Sequence, residues 1–428
     1  MAHSDRIRLR GGRAPRLRLG VLAGASFGIA AMLGAAGVGA EPREAFGPPI
    51  RVGIAVAVDT PLTLASDTGL RLRDAQTGGV LLDVDEPIRL KVERRGDGLL
   101  ARRAGARNAT DPTPAYAVRA EPAGDAPLTL GGSPYRGTIE VFAVEESGLN
   151  AVNELPLEDY LLGVVPIEIG PRNASELAAV AAQAVAARTY AVSHLRAREE
   201  MGFDVFGTVE DQAYGGMAAE REESTRAVRA TAGRILMYDG LPIRAMYHST
   251  CGGRTAPVED VLDRKPAPYL RSVSDRAPDG TDYCSISPRY RWVEELGPRD
   301  LNGRIRSQVR RIFGAPAEHT GDLLGVRIAE RTSTGRVRAL ALRGTRSEFV
   351  LERLDIRIAL QNDEGRILGS TDFDIAIRPD DVIELRGRGY GHGSGMCQWG
   401  AIGRARAGQD WETILATYYP GAELVSMY

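Results

Sequence analysis

A single helical segment constrains the fold more than any other part of this chain. Residues 174–200, ASELAAVAAQAVAARTYAVSHLRAREE, predict one long helix that Asn173 can cap. At about 100° per residue, small and apolar side chains share one face of this helix, and Arg188 falls in its middle. Because an unpaired buried charge is costly, the guanidinium must be paired or must line a cavity. Gln183 and Tyr190 share a different face.

The segment before this helix contains a candidate acid. In LPLEDYLLGVVPIEIG, residues 155–170, Pro156 suits a first helical position, and Pro166 is expected to end any helix that reaches it. Glu168 follows between two isoleucines. A carboxyl in apolar surroundings has a raised pKa, which suits a general acid at neutral pH. An exposed surface glutamate is the ordinary alternative.

Strands and helices mix along the rest of the chain. Short strands are predicted at residues 50–58, 79–84 and 88–94, and Asp239-Gly240 predicts a hairpin turn. Residues 101–127, rich in Ala, Arg, Asp and Pro, predict a long surface loop. Since the elements do not alternate regularly, the predicted fold class is α+β, with a β-rich region at 41–144 and mixed strands and helices at 145–428.

The first 40 residues predict export. Six arginines precede an uncharged run of small and apolar residues from 19 to 40, the layout of a signal peptide for delivery to the periplasm or cell wall. An uncleaved membrane anchor is the alternative. With six arginines and one aspartate, these 40 residues carry a net charge of +5. Because the whole chain carries −2, the remaining residues carry −7. An acidic exported domain is not expected to bind nucleic acid.

A glycine-rich run near the C-terminus, RGRGYGHGSGMCQWGA at 386–401, is the next candidate site. It lacks the Lys-Ser/Thr of a phosphate loop and fits no dinucleotide-binding register. Its period of two predicts an extended segment that presents Arg388, Tyr390, His392 and Ser394 on one face, opposite bare glycine backbone. Such a face could contact sugar or peptide groups, and a packing strand is the alternative.

Three cysteines leave two chemistries open. His248 and Cys251 stand in YHSTCGG, and Cys284 follows 33 positions after Cys251. These three side chains could hold a tetrahedral zinc ion. In an exported protein, a Cys251–Cys284 disulfide is the simpler expectation. Cys397 would then remain as a buried thiol.

Eight blocks of the sequence, taken in order, resemble the SpoIID/LytB (stage II sporulation protein D) family across residues 145–428. They are LPLEDYLLGVVPIEI, AAQAVAARTYA, DQAYGG, TRAVRATAGRILMYDG, YHSTCGG, PYLRSV, GRGYGHGSGMCQWGA and LATYYPG. The resemblance implies a lytic transglycosylase that cuts the MurNAc-GlcNAc β-1,4 bond of peptidoglycan, preferably in strands stripped of stem peptides, and leaves 1,6-anhydroMurNAc ends.

The resemblance also implies roles for single residues. Glu168 matches the family's catalytic acid, and no cofactor is required, although some relatives hold a zinc ion near the histidine of the H-S-T block. In the family's fold, mixed strands and helices surround a substrate groove that holds the glycan strand. The residues expected to line this groove or to orient Glu168 are Gln183, Arg188, Tyr190, Gln212, Tyr214 and His392. The alternative is a non-catalytic wall-binding protein that enhances a cell-wall amidase. A muramidase would need a second carboxylate, for which Asp159 and Asp211 are the candidates.

Overall fold

A computed structural model describes residues 47–96, 98–104, 115–144, 148–313, 321–361 and 366–428. The predicted signal peptide lies outside them. Two compact units are present, which we describe separately. The main unit comprises the described residues of Glu44–Val258, Pro266–Ser287 and Gly393–Tyr428, and the inserted unit comprises Glu259–Lys265 and Pro288–His392. The predicted domain boundary near residue 144 does not coincide with a boundary between these units. In the described part of the chain, no helix has the length and apolar character to cross a bilayer.

The main unit begins with strands, as predicted. They are β1 Pro49–Val58, β2 Leu62–Ser66, β3 Leu70–Asp74, β4 Val80–Val84, β5 Ile88–Arg95, β6 Gly98–Arg103, β7 Ala117–Pro122, β8 Leu128–Leu130, β9 Ser133–Tyr135, β10 Thr138–Ala143 and β11 Leu149–Pro156. The loop predicted for 101–127 is partly wrong, because β7 occupies part of it. Val118 and Ala120 are buried there, so tertiary packing outweighs a loop-like composition.

The remaining elements follow in chain order. They are α1 Leu157–Ile169, α2 Leu177–His194, β12 Val205–Phe206, α3 Glu222–Ala230, β13 Arg234–Tyr238, β14 Leu241–Pro242, β15 Tyr247–His248, α4 Val258–Val261, β16 Arg291–Leu296, α5 Pro298–Asp300, a π-helical stretch Leu301–Ile305, α6 Arg306–Phe313, β17 Leu323–Arg331, β18 Val337–Gly344, β19 Glu348–Glu352, α7 Leu354–Ala359, β20 Phe373–Ile377, β21 Ile383–Arg388, β22 Met396–Cys397, α8 Gln398–Arg406, α9 Trp411–Tyr418 and β23 Glu423–Ser426.

Two sheets organise the N-terminal part of the main unit. A seven-stranded sheet has the order β12-β1-β11-β10-β7-β3-β4, and a five-stranded sheet has the order β6-β5-β2-β8-β9. Alternating side chains such as Ile88, Leu90 and Val92 of β5 contribute to their shared core. Strand β11 pairs with both β1 and β10 and leads directly into α1. The strand that immediately precedes α1, the helix that contains Glu168, is therefore paired on both sides within a sheet.

The rest of the main unit contains two smaller β pairings. Strand β13 pairs with β14 and β23, and β15 pairs in parallel with β22. The predicted hairpin turn is confirmed: Asp239 and Gly240 connect β13 to β14 with φ of 51° and 73°. Positive φ at both positions is the geometry that Asp-Gly favours.

The inserted unit has a core of its own. It contains two three-stranded sheets, β16-β21-β20 and β17-β18-β19. Its core includes Ile305, Leu340 and Leu385, each fully buried. Strands β17 and β18 pair antiparallel across the turn that contains Gly335.

Helix α1 does not end where the sequence suggested. It continues through Pro166 to Ile169, so the prediction of a break is wrong. Proline removes one backbone donor, but the carbonyl of Pro166 still accepts from the N–H of Gly170 at 3.1 Å. The burial of most α1 side chains outweighs the lost hydrogen bond. Glu168 is therefore rigidly placed in the last turn of a helix.

The glycine run is not one extended strand. Gly389, Gly391, Gly393 and Gly395 all have positive φ, between 73° and 111°, and regular pairing stops at Arg388. The expectation of four side chains on one strand face is therefore wrong. Glycine populates left-handed backbone as readily as extended backbone, so a period of two did not specify the conformation. At Gly395 an added Cβ would lie 1.9 Å from the carbonyl oxygen of Met246.

Candidate active site

The main unit holds the Glu168 carboxyl in a half-buried site. Its Oε1 accepts a hydrogen bond from the N–H of Ala213 at 2.9 Å. The side chains of Gln398 and Tyr247 also donate to the carboxyl. Desolvation outweighs these three interactions and raises the pKa of Glu168 from 4.5 to about 7. A carboxyl whose pKa lies near neutral pH can both donate and accept a proton.

Two glutamines connect Glu168 to the surrounding helices. The side-chain amide of Gln398, the first residue of α8, donates to the backbone oxygen of Glu168 at 2.9 Å and to Gln183 Oε1 at 3.3 Å. Gln212 Nε2 donates to the hydroxyl of Tyr247 at 2.9 Å. Gln183 and Gln212 are fully buried. They orient the residues that hold the acid rather than offering an exposed binding surface.

Two of the predicted tyrosines, Tyr190 and Tyr214, occupy different surroundings. The hydroxyl of Tyr190 donates to Asp211 Oδ1 at 2.8 Å and remains half-buried. Tyr214 is buried and donates to Asn153 Oδ1 at 2.8 Å. Its ring packs on α1 at Gly163, where an added Cβ would lie 2.6 Å from the ring. Tyr214 thus fixes α1, the helix that carries Glu168.

Arg188 has a structural partner. Its guanidinium forms a bidentate pair with Glu158 of α1, at 2.7 and 2.8 Å, and donates to the carbonyl oxygen of Val228 at 3.1 Å. The Arg188 side chain is fully buried. The sequence correctly required a partner for this charge. The expectation that Arg188 lines the groove is replaced by an ion pair that joins α1 to α2.

Three of the predicted polar residues belong to the inserted unit. Arg388 pairs with Asp372 at 2.8 Å, and the guanidinium of Arg289 lies 4.0 Å from the ring centre of Tyr390. His392 is the last residue of that unit. Ser394 belongs to the main unit, where its carbonyl oxygen lies 3.2 Å from His248 Nδ1. Their predicted contacts with substrate remain predictions.

Neither acid proposed as a second carboxylate is suitably placed. Asp159 precedes Glu168 by nine positions on α1, which separates the two by about 13 Å along the axis and puts them on opposite faces. Asp211 accepts from Tyr190, from the guanidinium of Arg198 and from the N–H of Phe206. Its two oxygens are therefore engaged in hydrogen bonds within the chain.

The cysteines form a cluster that differs from the predicted one. Cys251 and Cys284 are free thiols with their Sγ atoms 3.6 Å apart, so the structure does not contain the predicted disulfide. Cys397 and Asp275 complete the group, and its ligand atoms all lie within 4.8 Å of one another. His248, a predicted ligand, is not part of the group.

Sequence reasoning missed several residues of these sites. Ala213 contributes only its backbone, and no side-chain pattern marks such a donor. Gln398 and Tyr247 lie in the quoted blocks GMCQWGA and YHSTCGG, next to residues that were singled out. Their position within sequence blocks that resemble the family could have identified them. Asp275 lies in a polar, loop-like stretch whose local sequence gives no sign of burial.

Comparisons with known proteins identify relatives of this chain. Residues 145–238 match the SpoIID family, described as stage II sporulation protein, and residues 280–395 match DUF8618, a domain of unknown function. An uncharacterized protein of Brachyspira hyodysenteriae is 32% identical over 70% of this chain and 74% of its own length. Stage II sporulation protein D of Bacillus subtilis is 28% identical over 72% of this chain and 84% of its own.

A third relative carries another name. The amidase enhancer of Bacillus subtilis is 28% identical over 70% of this chain, which spans 45% of that protein. Together these matches show that the chain belongs to the SpoIID family. The match to residues 145–238 includes Glu168 and the backbone donor Ala213, whereas the side-chain donors Tyr247 and Gln398 lie outside it.

Proposed function

We propose that this protein is a peptidoglycan lytic transglycosylase with Glu168 as its single acid and base. The observation that carries the proposal is the Glu168 site itself: one carboxyl with a pKa raised to about 7, held by donors from Ala213, Tyr247 and Gln398. Neither Asp159 nor Asp211 is placed to assist. A glycoside hydrolase generally needs two carboxylates, so a reaction that uses only one fits this site better.

The reaction requires two successive proton transfers by one carboxyl group, that of Glu168. The protonated Glu168 carboxyl gives its proton to the glycosidic oxygen as the bond from C1 of MurNAc to that oxygen breaks. The C6 hydroxyl oxygen of the same MurNAc then bonds to C1, and the Glu168 carboxylate takes the proton of that hydroxyl. The products are a 1,6-anhydroMurNAc end and a free 4-hydroxyl on GlcNAc. No water is consumed, and Glu168 returns to its protonated form.

The surroundings of Glu168 suit this cycle. Burial favours the neutral acid before cleavage, and the donors from Ala213, Tyr247 and Gln398 stabilise the carboxylate that exists between the two transfers. Tyr247 in turn accepts from Gln212, so its own hydroxyl hydrogen is directed toward Glu168. Preorganised donors of this kind stabilise charge without reorganisation.

The pH dependence of cleavage follows from the protonated state. Glu168 must begin the cycle protonated, and its pKa is about 7. We expect kcat/KM for glycan cleavage to fall about tenfold per pH unit above that value. Initial rates on purified glycan between pH 5 and 9 would measure this. A rate that stays constant up to pH 9 would contradict the role of Glu168 as the acid.

The match to the amidase enhancer favours a second candidate function, a wall-binding protein that activates an amidase. A binding protein has no need for a carboxyl with a raised pKa. Release of soluble glycan without new reducing ends would support the transglycosylase, since anhydro ends are non-reducing. New reducing ends would indicate a muramidase, and co-sedimentation with glycan without any release would support the enhancer.

A further inference from the structure

Arg172, on the loop between α1 and α2, carries a charge that its surroundings balance poorly. Its side chain is only 15% exposed, and its buried Nε has no hydrogen-bond partner among the described residues. The acid that pairs with it is Glu176, whose Oε2 lies 3.8 Å from Nη1. This separation is too long for a hydrogen bond, so the pair is held by charge alone.

The carboxylate of Glu176 is committed to other donors. Its Oε1 accepts two hydrogen bonds from the guanidinium of Arg406, at 2.6 and 2.8 Å, and its Oε2 accepts from the N–H of Asn173 at 3.2 Å. Burial lowers the pKa of Arg172 more than Glu176 raises it, and the charge of Arg406 lowers it further. A guanidinium in this state is stabilised by any added anion that can reach it.

Trp399 holds Arg172 beside Glu168. The Cζ atom of Arg172 lies 5.1 Å from the centre of the Trp399 ring, a cation–π contact. Trp399 directly follows Gln398, whose amide donates to the backbone oxygen of Glu168. On the other side, Nη2 of Arg172 lies 3.2 Å from where a Cβ on Gly170 would be, two residues after Glu168. Nη2 is therefore within about 12 Å of the Glu168 Cα.

Removal of the stem peptide changes the charge of a glycan strand. The peptide is joined to the lactyl group of MurNAc through an amide, which is neutral. Hydrolysis of that amide leaves a lactyl carboxylate on MurNAc, and a carboxylate of this kind is ionised at neutral pH. The planar fork of a guanidinium matches a carboxylate with two parallel hydrogen bonds. A peptide-free strand thus supplies the anion that would balance the charge of Arg172.

We propose that Arg172 binds the lactyl carboxylate of a MurNAc residue close to the bond that Glu168 cleaves, and that it thereby selects peptide-free strands. The identity of this anion rests on the proposed function. Because Trp399 already restricts the guanidinium, less side-chain entropy is lost when the carboxylate binds. The carboxylate is present before and during the reaction, so the contact lowers KM and leaves kcat nearly unchanged.

Two chemically matched glycan probes test this role. Soluble amidase-treated glycan fragments carry free lactyl carboxylates, and carbodiimide coupling to methylamine converts these groups to neutral amides. The Glu168→Gln chain, which is not expected to cleave either probe, should bind the carboxylate probe about ten- to a hundredfold more tightly, the range that a charge-assisted hydrogen bond supplies. Isothermal titration calorimetry would measure both dissociation constants. Equal binding of the two probes would overturn the proposal, and this comparison needs no change at Arg172.

Two arginine variants in the same background locate the effect. Arg172→Gln should bind both probes equally, whereas Arg196→Gln, which removes an exposed charge paired with Glu199, should keep the full preference. A purely structural role of Arg172 would change stability without changing the difference between the probes. A preference that survives Arg172→Gln, or one that is lost in Arg196→Gln, would overturn the assignment.

Failure of this inference and failure of the proposed function give different results. A preference for the carboxylate probe in a chain that cleaves neither probe would support the Arg172 site and contradict only the glycan cleavage. Cleavage of both probes by the unaltered chain with equal kcat/KM would contradict only the role of Arg172.

Discussion

Glu168→Gln is expected to lower the rate of glycan cleavage by at least about a thousandfold, since one carboxyl performs both proton transfers and each contributes about 10² to 10⁴. The amide keeps the shape of the side chain but cannot give up a proton to the leaving oxygen. Release of soluble fragments from purified glycan, measured over time, would give the rate.

The folded structure should survive this change. The pKa of Glu168 is about 7 in the folded protein against an ordinary 4.5, so the stability that the neutral carboxyl contributes at low pH is lost as the pH rises through this range. Glutamine does not ionise, and at pH 8 the variant should be at least as stable as the unaltered protein. Asp159→Asn on the opposite face of α1 is the matched control and should retain activity. An active Glu168→Gln variant would disprove the assignment.

Arg188→Met should lower the free energy of unfolding by about 3–5 kcal/mol, because it leaves Glu158 buried without its cation. Glu158 would retain only the N–H of Gly233 at 3.2 Å and the hydroxyl of Tyr428. Urea unfolding would measure the change.

Two further variants show whether the lost charge pairing is the cause. The double variant Glu158→Gln/Arg188→Met removes both charges and should recover part of the loss. Arg71→Met breaks an exposed pair with Asp83 and should change stability far less than Arg188→Met does, because solvent screens exposed charges. Equal effects of Arg188→Met and Arg71→Met would contradict the structural role of Arg188.

Local sequence patterns predicted much of the fold. Strands β1, β4 and β5 and the Asp239-Gly240 hairpin follow from alternation and turn chemistry, which act over a few residues. Asn173 accepts from the N–H of Ser175 in the turn that leads into α2, as its side chain suggested. The continuation of α1 through Pro166 could not be predicted locally, since packing of the whole helix compensates for the missing donor.

Tertiary contacts decided the details of the sites. The sequence required a partner for Arg188 but could not indicate Glu158, which lies 30 positions away on another helix. Asp275 joins the cysteines only because α8, Tyr418 and Arg404 surround it. The alternating glycines suggested a strand, yet glycine permits several backbone conformations, and the fold selected positive φ.

The most direct test of the proposed activity is mass spectrometry of peptidoglycan after incubation with the purified protein. Intact and amidase-treated glycan should be compared, with the Glu168→Gln variant as the control. The proposed activity predicts 1,6-anhydroMurNAc ends, above all on the amidase-treated strands, and none with the variant. Binding to both substrates without any new ends would contradict it and would favour an enhancer of a cell-wall amidase.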